Sequence, residues 1–306
     1  MSIDKVTIKP KLVSVHTDML NINLPIRNNR DKSTIQHNIQ DIANEYGIVP
    51  FYKYGYRSTI PLLQKEQSKT ILFCTNHKYQ NRSYIHLQLN PSELTKELTT
   101  LLRSDLDYIL PGYLYVNLCY NSNVTRMDIA ADFKNIKVDD FVFTNARQRI
   151  SGMYFDQYGK TKTVYLGDNK CNIQIIIYDK TAKKRSLGHS TEEVQKTRIE
   201  IKTTPNCPLK DITKIGNPFK GLKVYKLSHL IADNRLPLSF CDSLKIRGLT
   251  ATLRQLDKND RKYVEALLSE YAYKGFPTDE IFTQWKKSVN VLNPLAVGRL
   301  KPTKTL

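Results

Sequence analysis

Counting by two from Arg126 through Val-Thr-Arg-Met-Asp-Ile-Ala-Ala-Asp-Phe, residues 124 to 133, puts Arg126, Asp128, Ala130 and Asp132 on one face of a strand. Met127, Ile129, Ala131 and Phe133 then form the other, apolar face. Two carboxylates about 7 Å apart along a strand, beside an arginine, can hold a divalent cation or act on a proton. The same spacing also suits a solvated strand face with an ion pair. Further on, Gln174, Ile176, Tyr178 and Lys180 share one face, and Ile173, Ile175 and Ile177 the other. A tyrosine there, next to Asp179 and followed by Lys180, Lys183 and Lys184, can attack a phosphodiester as its phenolate. It can equally close the core at a strand end. Two more strands offer His86 with Gln88, and Arg198 with Glu200 and Lys202. If these strands are neighbours, their polar faces converge, and an imidazole plus carboxylates suits Mg2+ or Mn2+. Taken singly, His86 also reads as a hydrogen-bonded surface histidine, and Glu200 as a partner of Arg198 or Lys202.

Several elements must position these side chains. Residues 1 to 34 read as mixed and polar, with an exposed basic loop at 24 to 32, and the apolar spacing from Ile35 to Tyr46 predicts a helix stopped by Gly47. Strands are predicted at 51 to 60, 70 to 75 and 83 to 90, the last with Ile85, Leu87 and Leu89 inward. Pro91-Ser92 starts a helix with a stripe of Leu94, Leu98, Leu101 and Leu102; strands are predicted at 113 to 120 and 124 to 133, then a helix from Val138 to Arg149. A hairpin pairs 161 to 167 with 172 to 180, and 197 to 203 alternates again. Between 204 and 223, Pro205, Pro208, Gly216, Pro218 and Gly221 suit a linker or long loop, while 258 to 274 and 280 to 289 carry helical spacing. The expected fold is α+β: a central, mainly antiparallel sheet with helices packed on one face, plus a C-terminal helical module.

Forty-seven Lys plus Arg against 29 Asp plus Glu give a net charge of +18, which points to a polyanionic partner, nucleic acid before an anionic membrane surface. Eighteen tyrosines against 10 phenylalanines add amphipathic rings suited to stacking on bases. The five cysteines are scattered without a C-x-x-C pair, so neither a zinc cluster nor a disulfide framework is suggested. No run of about 18 apolar residues occurs and the first residues lack an apolar signal segment, so a cytoplasmic protein without a membrane partner is expected. There is no G-x-x-x-x-G-K-[ST], so no ATPase of that type is encoded.

The ordered set Ile-His-Leu-Gln-Leu-Asn-Pro-Ser-Glu-Leu (85 to 94), Thr-Arg-Met-Asp-Ile-Ala-Ala-Asp-Phe (125 to 133), Thr-Val-Tyr-Leu-Gly (163 to 167), Ile-Ile-Tyr-Asp-Lys (176 to 180) and Arg-Ile-Glu-Ile (198 to 201) resembles rolling-circle replication initiators. The likeness is to the staphylococcal plasmid type, and more distantly to filamentous-phage replication proteins and relaxases. It spans about residues 80 to 205, and its specificity lies in the combination of motifs. The resemblance implies that Tyr178 nicks one DNA strand, leaving a 5′-phosphotyrosine and a free 3′ hydroxyl, and that Asp128, Asp132 and Glu200 belong to the active centre. Arg126 and Lys180 would assist; a Mg2+ or Mn2+ ion would be held among Asp128, Asp132, Glu200, His86 and Gln88; Lys183, Lys184, Arg198 and Lys202 would contact DNA. Partners would be origin DNA, duplex and single-stranded loop, with a host helicase and polymerase; whether the chain pairs as a homodimer stays open. Residues 1 to 215 would form the nicking and DNA-binding domain, and 216 to 306 a helical module for origin recognition. Two departures stand out: the wider nickase class carries His-hydrophobic-His where this chain has His86-Leu87-Gln88, and no second tyrosine stands beside Tyr178, Tyr165 on the preceding strand being the nearest and reading more as core. A non-catalytic DNA-binding regulator on the same fold is the alternative, and a basic α+β protein with solvated strand faces a third.

Overall fold

The computed structural model describes residues 10–26, 29–47, 51–53, 56–61, 71–75, 83–110, 112–145, 149–188, 194–232, 234–273 and 276–289. A long strand, β1 (Lys11–Ile26), comes first, burying Leu20, Ile22, Leu24 and Ile26 in its second half. Helix α1 (Asn29–Glu45) buries Ile35, Ile39, Ile42 and Ala43 on one stripe, and Gly47 ends it at φ +66°, the left-handed conformation that favours glycine. The basic loop expected at 24 to 32 is therefore divided between the end of β1 and the start of α1 in its described residues. Strands β2 (Phe51–Lys53), β3 (Tyr56–Pro61), β4 (Ile71–Thr75) and β5 (Ser83–Leu89) follow, β5 burying Ile85, Leu87 and Leu89 as its alternation requires.

A single 3-10 turn at Pro91–Glu93 precedes α2 (Lys96–Ile109), whose N-cap Thr95 accepts from the Leu98 amide at 3.2 Å. Leu102, Leu106 and Ile109 face inward while Leu101 is 47% exposed, so the buried stripe is rotated from the expected one. Residues 113 to 120, expected as a strand, form helix α3 (Gly112–Asn121), which buries Leu114 and Leu118 one turn apart. Then come β6 (Asn123–Lys134), a 3-10 turn at Val138–Asp140 and β7 (Phe141–Asn145). That turn and strand replace the helix expected over 138 to 149. Strands β8 (Ile150–Phe155), β9 (Thr161–Leu166) and β10 (Ile173–Asp179), helix α4 (Lys180–Ser186) and strand β11 (Thr197–Thr203) complete the centre of the chain. The segment expected as linker carries β12 (Cys207–Pro208), a 3-10 stretch (Leu209–Lys214) and the start of β13 (Leu222–Lys226). Helices α5 (Leu227–Ile231), α6 (Leu238–Arg247), α7 (Leu249–Leu253), α8 (Lys258–Tyr271) and α9 (Thr278–Val289) follow, so the C-terminal part is helical as expected.

The fold is α+β, built on antiparallel sheet with helices, and its residues group into two compact units assembled from separated stretches. The first comprises Met1–Val15, Ile129–Thr203 and Asn217–Gln284; the second comprises His16–Asp128, Thr204–Gly216 and Trp285–Leu306. Within the second unit, β2, β3, β4, β5 and β1 pair in that order, all antiparallel, with Asn23 opposite His86 and Asn21 opposite Gln88. The only tryptophan, Trp285, is fully buried there and donates its indole N–H to Thr17 Oγ1 at 3.1 Å. Within the first unit, β11, β10, β9 and β8 pair antiparallel in that order, and β7 pairs with β13 as a separate ribbon. Val142 and Tyr225 of that ribbon pack with Leu230, Phe240, Leu244, Leu253, Leu267 and Leu268 of the C-terminal helices in one core. No helix among the described residues is long and apolar enough to cross a membrane.

Candidate active site

Strand β10 owes its conformation to a run of β-branched residues, Ile173, Ile175, Ile176 and Ile177, and it stops where Asp179 turns the backbone into a helix. Asp179 is the N-cap of α4: its Oδ1 accepts from the Ala182 amide at 2.9 Å, and its Oδ2 accepts from Gln195 Nε2 at 2.9 Å. Lys180 N–H donates to the Lys196 carbonyl at 2.9 Å, and Lys196 N–H donates to Thr181 Oγ1 at 2.9 Å. Four hydrogen bonds thus fix the strand-to-helix corner, and the residue just before it is Tyr178. Lys183, Lys184 and Arg185 fall in the last turn of α4, where cations oppose the negative end of the helix dipole.

Register brings the polar residues of β10 and β11 together: Gln174 lies opposite Lys202, Ile176 opposite Glu200 and Tyr178 opposite Arg198. Directly opposed residues share a sheet face, so Gln174, Tyr178, Arg198, Glu200 and Lys202 lie on one side of this pair of strands. Tyr178 is 8% exposed, and its hydroxyl donates to Glu200 Oε2 at 3.4 Å. The Lys183 ammonium stands 4.5 Å from the centre of the Tyr178 ring, a cation–π contact that brings positive charge to the phenol. A carboxylate that can take the phenolic proton and a cation over the ring that would become phenolate both suit a tyrosine nucleophile.

Asp132 is 3% exposed and sits in the same unit. Lys180 Nζ reaches its Oδ2 at 2.6 Å, Arg198 Nε its Oδ1 at 2.7 Å and Arg198 Nη2 its Oδ2 at 3.1 Å, while Ser14 Oγ donates to Oδ2 at 3.2 Å. Burial alone pushes this carboxyl up, but the hydrogen bonds and charges of Arg198 and Lys180 outweigh it and bring its pKa down to about 2. Asp132 is therefore an ionised, buried anchor that orients two cations. The β6 face carrying it is not the solvated surface that its charges suggest, since Asp128, Ala130 and Asp132 are all buried.

The second unit holds the remaining candidates. Asp128 is 3% exposed and accepts from Arg126 Nε at 2.9 Å and from Arg126 Nη2, so Arg126 is its ion-pair partner. His86 and Gln88 stand on the half-buried face of β5. His86 Nδ1 meets Asn23 Oδ1 at 2.5 Å, and burial lowers the imidazole pKa to about 4, leaving a neutral ring whose orientation is fixed. Neutrality and an oriented ring are what a metal-ligating histidine requires. Among the described residues, no group of three or more His, Cys, Asp or Glu side chains forms a ready metal cluster.

The residues that sequence reasoning passed over are the supports. Ser14 on β1 falls in a stretch that reads as mixed and polar, and Gln195 lies between elements with no pattern to mark it. Asp179 had a usable signal, an Asp at the junction of a strand-period run and a lysine-rich helical segment. Tyr165, half-buried on β9 opposite Ile176, has its phenol pKa raised by burial, then by the neighbouring Tyr154 and Glu200, which places it beside the Tyr178–Glu200 pair.

No protein-family model matches the chain. No curated protein matches it. Among solved structures it is similar to the rolling circle replication initiator protein from Geobacillus stearothermophilus, at 16% identity and a TM-score of 0.36, over 92% of this chain and 96% of that one.

Proposed function

We propose that the chain is a replication initiator that nicks one strand of origin DNA by transesterification at Tyr178. The observation that carries this reading is the Tyr178 hydroxyl donating to the Glu200 carboxylate at 3.4 Å, with the Lys183 ammonium over the same ring, on a chain of charge +18. Glu200 takes the phenolic proton as Tyr178 Oη attacks phosphorus, and the bond from phosphorus to the 3′ oxygen breaks. The leaving oxygen takes a proton and becomes the free 3′ hydroxyl that primes a polymerase. One phosphate ester replaces another, so the phosphotyrosine can be attacked in turn by a 3′ hydroxyl and strands rejoin without ATP. Lys180 at the start of α4 and Arg198 on β11, held by Asp132, supply fixed positive charge. Lys183, Lys184 and Lys202 contribute phosphate contacts, and a host helicase and polymerase carry out the steps the chain does not encode.

In the second unit, His86 and Gln88 on β5, together with Asp128, fit a hard divalent ion by their donor chemistry. A bound Mg2+ or Mn2+ would polarise a phosphoryl oxygen. Asp128 would exchange its Arg126 guanidinium for the ion, whereas Asp132 is assigned a positioning role, because two cations and Ser14 hold its oxygens.

Incubation with a single-stranded origin oligonucleotide and Mn2+ tests the reading. The wild type should form a covalent protein–DNA adduct resistant to boiling in detergent, and Tyr178→Phe should form none. An undiminished adduct in that variant removes Tyr178 as nucleophile, and no adduct from the wild type over a range of origin sequences favours the non-catalytic DNA-binding regulator.

A further inference from the structure

Two rungs of the first unit's sheet run across β8, β9, β10 and β11. One carries Gly152, Tyr165, Ile176 and Glu200, and the next but one carries Tyr154, Thr163, Tyr178 and Arg198. Opposed residues point to the same side, so Tyr154 and Tyr165 share the sheet face of Tyr178 and Glu200. Tyr154 is 63% exposed on β8, the last strand of the series, whereas Tyr178 on the same face is 8% exposed. Its ring is braced edge-on by Tyr165, with centroids 5.8 Å apart and planes at 67°. Tyr165 packs over Gly152, where a Cβ would meet its ring in ordinary contact at 3.7 Å. Two strand spacings, about 10 Å, separate Tyr154 from Tyr178, a span that adjacent nucleotides of one strand can bridge.

We propose that Tyr154, braced by Tyr165, is a stacking shelf for a nucleobase of single-stranded DNA, holding the strand beside the Tyr178–Glu200 pair. The occupant is a single strand because only an unpaired base presents a π-face to a ring. Its backbone charge is matched on the same face by Lys202 and, over the Tyr178 ring, by Lys183. The shelf rests on the nicking reading for its choice of ligand. Tyr154 touches substrate without entering the chemistry, and Tyr165 is a positioning residue that acts through it.

The probes are a fluorescein-labelled oligothymidylate of about 16 nucleotides, within the usual site sizes for single-strand binders, and an abasic strand of the same length and charge. Binding is read by anisotropy. Wild type should prefer the strand with bases, and Tyr154→Ala should weaken that binding between about 5- and 150-fold while leaving the abasic strand unchanged. Tyr154→Phe keeps the π-face and should bind like wild type; its circular dichroism and that of the Ala variant should be native. The salt slope of the Ala variant should be unaltered, because stacking releases no counterions. Equal binding by Tyr154→Ala and wild type, or an equal loss on both strands, overturns the shelf. The covalent-adduct assay reads the other proposal separately. An adduct with no Tyr154 effect on binding removes the shelf alone, whereas Tyr154-dependent base binding without an adduct supports the shelf and removes the nucleophile.

Discussion

Replacing Asp132 by Asn removes a carboxylate that pairs with two cations, one of them, Arg198, 8% exposed. The carboxyl ionises near 2 in the folded chain against about 3.9 for a free aspartate, and at about 1.4 kcal/mol per pH unit the ionised form contributes on the order of 2.5 kcal/mol at neutral pH. The substitution should cost more, about 3 to 5 kcal/mol, because it breaks a buried ion pair by removing one of its charges. The assay is urea unfolding of both proteins at pH 7 and at steps down to pH 2. A depressed carboxyl pKa gives stability that is complete above the unfolded value and lost as pH falls through the folded one. The gap between wild type and Asp132→Asn should therefore be full above about pH 4 and shrink toward pH 2. A cost below about 0.5 kcal/mol at pH 7, the level of an ordinary surface substitution, would refute the clamp; so would a gap that stays constant through that pH window.

Three more outcomes follow from the geometry. Glu200→Gln should slow adduct formation by about 100-fold or more while leaving oligonucleotide binding intact, as expected for loss of a general base; unchanged single-turnover rates would exclude it from proton transfer. Asp179→Ala, which deletes the α4 cap and the tie to Gln195, should cost about 1 kcal/mol in urea unfolding, and Asp179→Asn should recover most of it. Mn2+ titration followed by electron paramagnetic resonance should show at least about ten-fold weaker binding in His86→Ala, and equal affinity would strike His86 from the ligands.

The strands that frame Tyr178 are legible in the sequence because β9, β10 and β11 alternate with period two over short, β-branched runs, and each pairs with the strand next to it in the chain. Helix α3 is misread because Gly-Tyr-Leu-Tyr-Val-Asn-Leu-Cys-Tyr-Asn is rich in residues that favour strands, and only tertiary packing of Leu114 and Leu118 selects the helix. The reverse error at β7 has a related cause: Phe141 to Asn145 pair with Leu222 to Lys226, some 80 residues on, a partnership no local period encodes. The same holds for the site. Arg126 and Asp128 are visible as neighbours on one strand face, whereas Asp132, Lys180 and Arg198 meet from three elements. Counting by two identifies which residues share a face, but the faces of β6 are both covered, and burial turns apparent surface charges into clamps.

The most direct measurement is mass-spectrometric mapping of the covalent adduct after digestion of the DNA and the protein. The phosphonucleotide should be found on the peptide containing Tyr178, attached through the phenol to a 5′ phosphate. A modification carried by Tyr165, Tyr154 or any other residue, with Tyr178 unmodified, would contradict the assignment of the nucleophile.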